Sequence, residues 1–305
     1  MELVKRQGPA AGELENLNSC VDALDVSEKT RRDYKASLKL FYSFIEGNGL
    51  NLDSFLDYKR ELERRQDISI STKNAYLTAA RVILKEANKR GALPADITAN
   101  VKSFKQNKKH KRPGLDSAEV KAVLQAAETS GDARERALLS LLTFQGLRQI
   151  EIARLDITDI DLSAGLAHVQ GKGQHDRELI YLHPETARAL QEYMDQEGRK
   201  SGPLFISRDR ARAGHRLTTR AIREIIRRRL AALGIKKVVH GFRHYFTTRL
   251  LEEFSGDLLQ VAAYTRHASI ETLQIYDDRR LQAAELPKYY GAFSSLKGQA
   301  SAKVN

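Results

Sequence analysis

The sequence predicts a mainly α-helical protein with a small antiparallel β-sheet set into its second half. Three observations carry that expectation. Apolar residues recur at helical spacing through the first hundred positions, the period shortens to that of strands between Ile157 and Leu182, and helical spacing returns from Pro184 onward.

In the first hundred residues, Ser27 is a natural N-cap with Glu28 in the first turn, and Tyr34, Leu38, Phe41 and Ile45 form an inward stripe until Gly47 and Gly49 end the helix. A second helix is expected over Asp53 to Arg65 and a third over Ser71 to Lys89, with Gly91 as the stop. On the third, Tyr76, Ala80, Ile83 and Ala87 face inward, while Asn74, Thr78, Arg81, Lys85 and Asn88 share a polar face that either tracks phosphates or is simply solvated. Lys102 to Arg112 then holds six basic residues and no acidic one, followed by Pro113-Gly114. This run reads equally as a strap across a phosphate backbone, with Lys108, Lys109, Lys111 and Arg112 as contacts, or as a solvated tether.

Beyond it, Asp116 or Ser117 opens a helix to about Ala127, and Asp132 to Gln145 forms a strongly apolar one. Gly146 interrupts, and helical spacing resumes from Leu147 to Leu155. The runs ITDIDL, LAHVQ and RELIYL, separated by SAG and GKGQHD, read as a three-stranded meander. Thr218 or Thr219 caps a later helix that ends at Gly234, with Ile222, Ile225, Ile226, Leu230 and Leu233 facing the core and Arg220, Arg223 and Arg227 on another face, which enters a major groove, lies along phosphates or is simply solvated. The chain is thus organised as a helical region over 1–105, a basic linker over 106–114, a mixed domain over 115–292 and a Ser/Ala/Lys-rich tail over 293–305 that reads as mobile.

Charge narrows the partner. The 305 residues carry 51 Lys+Arg against 39 Asp+Glu, a formal net charge of +12. Lys102 to Arg112 is +6 and Arg199 to Arg229, with eleven basic and two acidic residues, is +9, so the rest of the chain is slightly negative. Two concentrated basic segments point to a polyanion rather than to solubility alone. The single cysteine, Cys20, excludes an intrachain disulfide and a cysteine-rich zinc site. No run approaches the ~18 apolar residues of a membrane span, and Met-Glu-Leu-Val-Lys-Arg lacks the apolar core of a signal peptide. A cytoplasmic, nucleoid-associated protein is expected. No GxxxxGK[ST] loop, HExxH or paired-histidine cluster occurs, so the sequence supports neither a nucleotide nor a metal cofactor.

What remains for a phosphate-handling protein is a nucleophile with fixed cations, and four segments supply candidates. In TFQGLRQIEIARL, Arg148 follows a glycine break and either presents its planar fork to a phosphate or pairs on the surface with Glu151. In GKGQHDR, Lys172 sits at a hairpin tip, as a solvated turn residue or as a general acid delivered by loop movement. In HGFRHYFTTRL, His240 and Arg243 are three apart, one face of a helix. In TRHASIETLQIYDD, His267 and Tyr276 are nine apart.

In that order and at those separations, these segments resemble the tyrosine recombinase (phage integrase) family, over nearly the whole chain. The resemblance implies a helical, SAM-like core-binding domain that clamps DNA together with a catalytic domain, and no extra arm-binding domain ahead of it. It implies that Tyr276 attacks a DNA phosphodiester to give a 3′-phosphotyrosyl bond, and that Arg148, Arg243, His240 and His267 surround the phosphate. Lys172 would protonate the leaving 5′-oxygen, and Glu151 would orient the cations. Of the nearby tyrosines, Tyr276 alone has the family spacing from His267; Tyr264, Tyr289 and Tyr290 do not. The implied partners are duplex DNA with inverted half-sites, a homo-tetramer in the synaptic complex and accessory proteins, with no membrane. One departure stands out: Thr265-Arg266-His267 replaces the usual Leu-Gly-His, removing a glycine from the turn and adding a cation that can reach phosphate. A nicking-closing enzyme of the type IB topoisomerase kind, which shares the chemistry, and a non-catalytic DNA-binding protein, which shares the charge, are the competing expectations.

Overall fold

The computed structural model describes residues 11–106, 114–171, 176–266 and 273. Lys108, Lys109, Lys111, Arg112, Lys172, His267, Tyr276 and the 293–305 tail lie outside them. The chain divides into two compact units, Met1–Lys108 and Lys109–Asn305. Among the described residues no helix is long and apolar enough to cross a membrane.

The first unit is four helices: α1 (Ala11–Asp22), α2 (Glu28–Asn48), α3 (Ser54–Arg64) and α4 (Ile70–Lys89). Ser27 caps α2 by accepting from the Thr30 N–H, and Ser69 does the same for α4 from Thr72. Gly49, at φ +72°, ends α2, and Gly47 remains inside it. α4 packs on each of the other three helices, and Phe41 meets Tyr58 edge-on at 4.9 Å in the shared core.

The polar face of α4 does something the sequence did not suggest. Asn74 binds the Phe104 backbone twice, its amide donating to the carbonyl at 3.1 Å and accepting from the N–H at 2.9 Å. Arg81 donates to the Val101 carbonyl at 2.8 Å and lies 5.6 Å from the centre of the Phe55 ring, and Asn88 donates to the Leu93 carbonyl. The face therefore binds the chain's own returning segment. Arg81, half-buried, braces that segment, while Lys85 stays exposed. The basic run is correspondingly not a free tether from its start: Phe104 is packed against the first core, flanked by the Lys59 and Lys73 ammonium groups at 5.4 and 5.9 Å.

The second unit is built around a helix buried on all sides. α5 (Ser117–Ser130) starts with a reciprocal Asp116/Glu119 capping box, and α6 (Ala133–Phe144) starts at Asp132, whose carboxylate accepts from the Arg134 and Glu135 N–H groups. Nearly every residue of α6 is buried, because α5, α8, α9 and α10 all pack on it. Its two buried charges are paired: Glu135 accepts from Arg229 at 2.8 and 2.6 Å, and Arg136 pairs with Glu192. α7 (Gln149–Arg154) is followed by a 3₁₀ turn at Ile157–Asp159, then β1 (Ile160–Asp161), β2 (Leu166–Gln170) and β3 (Arg177–Tyr181), antiparallel in the order β1-β2-β3. The first strand is shorter than expected because the Asp159 carboxylate accepts from the Asp156 N–H at 2.8 Å and closes a turn where the strand should begin.

α8 (Pro184–Glu197), α9 (Thr219–Ala232), α10 (His240–Glu253) and α11 (Leu258–Thr265) complete the unit. Thr218 caps α9, whose Ile222, Ile226 and Leu230 are buried; Leu233, expected in the core, is exposed beyond its end.

Replacing Asn74 with Ala leaves both Phe104 backbone groups without their partner and is expected to cost about 1–3 kcal/mol. Trypsin should then cut after Lys102 and Lys105 in the variant well before it does so in the wild-type chain; equal digestion rates would show that the clamp holds nothing.

Candidate active site

The site begins with a bend. Gly146 sits at φ +56° between α6 and α7, and a Cβ there would lie 2.2 Å from the Phe246 ring. Only a residue without a side chain lets the backbone turn against that ring. The turn delivers Arg148 as the N-cap of α7 in extended conformation. Its backbone N–H donates to Glu151 Oε2 at 2.8 Å and its Nη1 to Glu151 Oε1 at 2.7 Å. The Arg148 side chain is 29% exposed and that of Glu151 fully buried. Both readings of this arginine are thereby joined: it is paired, yet its partner lies beneath it and not on the surface.

Arg243 organises the surroundings. Three residues into α10 and 2% exposed, it donates through Nη1 to the Gly146 carbonyl at 2.7 Å and through Nη2 to the Thr265 carbonyl at 2.5 Å. These partners lie 97 and 22 positions away in sequence. His240 opens the same helix and is exposed. The start of α10 is held by the segment before α5: Leu115 donates to the Gly241 carbonyl at 3.4 Å, and a Cβ at Gly241 would press on the Leu115 side chain at 2.6 Å.

α11 ends at Thr265, and Arg266 follows in the left-handed conformation, φ 54° and ψ 47°. This is the position where the sequence lacks the expected glycine, and the turn is made regardless. The side chain of Arg266 does not remain free for phosphate. It is 10% exposed, donates from Nη2 to Glu151 Oε2 at 3.2 Å, and brings Nε to 3.9 Å from Glu178 on β3.

Glu151 thus faces two guanidinium groups. Burial pushes its carboxyl pKa up, but the Arg266 charge, the Arg148 hydrogen bonds and the Arg148 charge together outweigh this and hold it below the usual glutamate value. The carboxylate is ionised at neutral pH and orients both cations.

The β2–β3 hairpin is anchored where β2 ends and β3 begins. Arg154 donates to the Gly171 carbonyl at 2.9 Å, and Arg177 pairs with the buried Asp159. Sequence reasoning singled out neither Arg154 nor Glu178, because their partners are set by tertiary placement.

The arginine-rich stretch from Arg199 to Arg229 sorts into two groups. Arg208, Arg216 and Arg229 reach Asp132 and Glu197, Asp156, and Glu135 respectively, all acids from elsewhere in the chain. Arg227 pairs with Glu224 at 2.8 Å, and that pairing holds the Glu224 carboxyl down to about 2. Arg227 therefore has an acidic neighbour on its own helix, in an exposed pair. Arg212, Arg220 and Arg223 are exposed and have no acidic partner among the described residues. Arg212 and Arg220 line a cleft of about 670 Å³ between the 207–216 loop and the start of α9.

Residues 114–282 match the phage integrase family. A tyrosine recombinase of Synechocystis sp. is 29% identical over 277 residues, covering 84% of this chain and 88% of that one. The tyrosine recombinase XerC of Azotobacter vinelandii is 31% identical over 262 residues, 82% of this chain and 85% of that one. Among solved structures, the fold is similar to that of a lambda integrase tetramer bound to a Holliday junction, with a TM-score of 0.69 and 15% identity over 89% of this chain and 78% of that one.

Because Glu151 binds a proton less readily folded than unfolded, its contribution is fully present above the ordinary glutamate pKa of about 4.3 and is lost as pH falls below that towards the depressed folded value. Glu151→Gln removes one member of a buried ion cluster and is expected to destabilise the second unit by about 3–5 kcal/mol at neutral pH. The gap between wild type and variant, read from urea unfolding, should narrow as pH falls through that window; a constant gap would show that the carboxyl is not depressed.

Proposed function

The chain belongs to the phage integrase family and is a tyrosine site-specific recombinase; from that premise we propose that it cleaves and rejoins DNA strands through a 3′-phosphotyrosyl intermediate on Tyr276, using no metal and no nucleotide. The observation that carries this reading is the double hydrogen bond of buried Arg243 to the carbonyls of Gly146 and Thr265. One side chain thereby ties together the segment of Arg148, the helix of His240 and the residue two before His267, which are the motif pieces that the chemistry requires in one place.

A tyrosine hydroxyl has an unperturbed pKa of about 10, so nearby cations must favour its anion for attack near neutral pH. In this mechanism the Tyr276 oxygen forms a bond to phosphorus as the bond from phosphorus to the 5′-oxygen breaks. Arg148 and Arg243 neutralise the equatorial oxygens, whose charge is greatest in the pentacoordinate transition state, so these contacts stabilise that state more than the bound diester. His240 and His267 hydrogen-bond the phosphate, and Lys172 gives its proton to the departing 5′-oxygen. Glu151 orients the cations. The phosphotyrosyl bond retains the energy of the diester it replaces, so the 5′-hydroxyl of another strand reseals it by the reverse displacement.

In the same proposal, residues 1–105 are a helical core-binding domain, 106–114 a linker and 115–292 the catalytic domain, with DNA held between the two domains. Arg81 and Lys85, the linker cations Lys108, Lys109, Lys111 and Arg112, and Arg220, Arg223 and Arg227 on α9 contact phosphates or base edges. The substrate is duplex DNA with inverted half-sites, and the working assembly is a tetramer, as in the lambda integrase complex. Accessory proteins can select the outcome. Such an enzyme works where the DNA is, in the cytoplasm with the nucleoid.

A supercoiled plasmid carrying the DNA that flanks the gene tests this directly. Wild-type protein should form a covalent complex and yield recombinants, whereas relaxation alone, independent of the insert, would favour a nicking-closing enzyme. Tyr276→Phe should abolish the covalent complex and leave DNA binding within a few fold; a complex that persists would refute the assignment of the nucleophile. Arg243→Lys keeps the charge but not the two-pronged fork, and is expected to slow cleavage about 10²–10³-fold, a loss measurable in single-turnover assays.

A further inference from the structure

Arg266 occupies a conformation that side-chain-bearing residues avoid. With Ser255 it is one of two non-glycine residues at positive φ among the described residues, and glycine would adopt the same backbone without strain. Strain of this kind persists where other contacts over-determine it, and here those contacts are specific. Nη2 reaches the fully buried Glu151 carboxylate, and Nε approaches Glu178 on the strand that follows the Lys172 hairpin. Thr265, the adjacent residue, gives its carbonyl to Arg243.

The charge count gives these contacts a consequence. Arg148 and Glu151 alone form a neutral pair, because the carboxylate takes both the side chain and the backbone N–H of Arg148. Arg266 shares Oε2 with that backbone N–H, so the fully buried carboxylate faces two cations and does not bear on Arg148 alone. Of the two arginines, Arg148 is the more exposed, 29% against 10%, so the buried cation sits behind and the exposed one faces outward. Arg266 thus balances the carboxylate from the inside and leaves the charge of Arg148 available outside.

We propose that Arg266 is a positioning residue of the active site, acting through Glu151 to hold and electrically unburden Arg148 and through Glu178 to steady the base of the Lys172 hairpin. This rests on the phosphotyrosyl reading given above. It assigns to this arginine a role different from the direct phosphate contact its sequence position suggests, and different from a turn residue that merely replaces glycine.

Three full-length variants separate charge from backbone. Arg266→Gly removes both charge and strain, Arg266→Gln keeps the length and the strained backbone without the charge, and Arg266→Lys keeps the charge and the strain without the fork. Each is measured for the single-turnover rate of covalent-complex formation on the supercoiled plasmid carrying the flanking DNA, for binding to that DNA by gel shift, and for thermal melting. Arg266→Gly and Arg266→Gln are expected to lower the covalent rate about 10- to 100-fold, the scale of a small misplacement of a catalytic group. Arg266→Lys should recover at least half of that loss on a logarithmic scale, with DNA binding within a few fold throughout. Adding Arg266→Gly to Glu151→Gln should slow the reaction less than the two separate losses multiplied together, since part of the Arg266 effect passes through Glu151; a fully multiplicative loss would overturn the link between them.

A wild-type rate for Arg266→Gly, with equal or higher melting temperature, would overturn the proposal and leave position 266 as a turn residue. If Arg266→Gly does not fold, the other two decide, and equal rates for Arg266→Lys and Arg266→Gln overturn it. Failure of the wild-type protein to form any covalent complex would instead bring down the phosphotyrosyl reading itself, and this inference with it.

Discussion

A buried guanidinium that gives one N–H from each terminal nitrogen to a main-chain carbonyl is the interaction on which the second unit depends. Placing an arginine at 2% exposure removes a cation from water, which is unfavourable by several kcal/mol unless its N–H groups find partners. Arg243 finds them in the carbonyls of Gly146 and Thr265. The first carbonyl lies in the bend between α6 and α7 and the second on the last residue of α11, so neither has a partner within a helix. The same side chain that α10 carries into the interior thereby fixes the loop before α7 and the end of α11. The two charges that α6 itself buries are met in the same way by partners on neighbouring helices, Glu135 by Arg229 of α9 and Arg136 by Glu192 of α8.

The distribution of charge changes when the chain folds. In sequence, the Arg199 to Arg229 stretch is an almost unbroken cationic block. In the fold, Asp132, Glu135, Asp156 and Glu197 come from outside it to neutralise Arg208, Arg216 and Arg229. The arginines left without acidic partners concentrate at the 207–216 loop and the first turns of α9. Exposed pairs of this kind contribute little to stability individually; their effect is to restrict where the positive potential emerges.

Local signals in the sequence were good guides wherever the physics is local. Ser27, Asp116, Asp132 and Thr218 are caps because their side chains accept from N–H groups two or three residues ahead, and such contacts are visible in a string of letters. The mainly helical class and the antiparallel meander followed from periodicity for the same reason. α1 was not singled out: among the described side chains it presents Leu17, Cys20 and Val21 to the first core, and it packs on α2 and α4. The roles of Asn74 and Arg81 were equally hidden, since their partners lie 30 and 20 residues on. At the site, the spacing of Arg148 and Glu151 was legible as a pair within one turn, whereas Arg266 meets Glu151 across 115 positions, a separation at which sequence spacing carries no geometric information.

The bend at Gly146 resists substitution for two unrelated reasons. A side chain there would collide with the Phe246 ring, and the backbone conformation itself is unfavourable for an L residue. The second obstacle is surmountable, since Arg266 holds nearly the same φ, but the first adds to it. Position 146 is consequently costly to change unless the ring at 246 changes with it. Variation that alters how Arg148 is presented enters more easily through its neighbours, with the pivot itself unchanged.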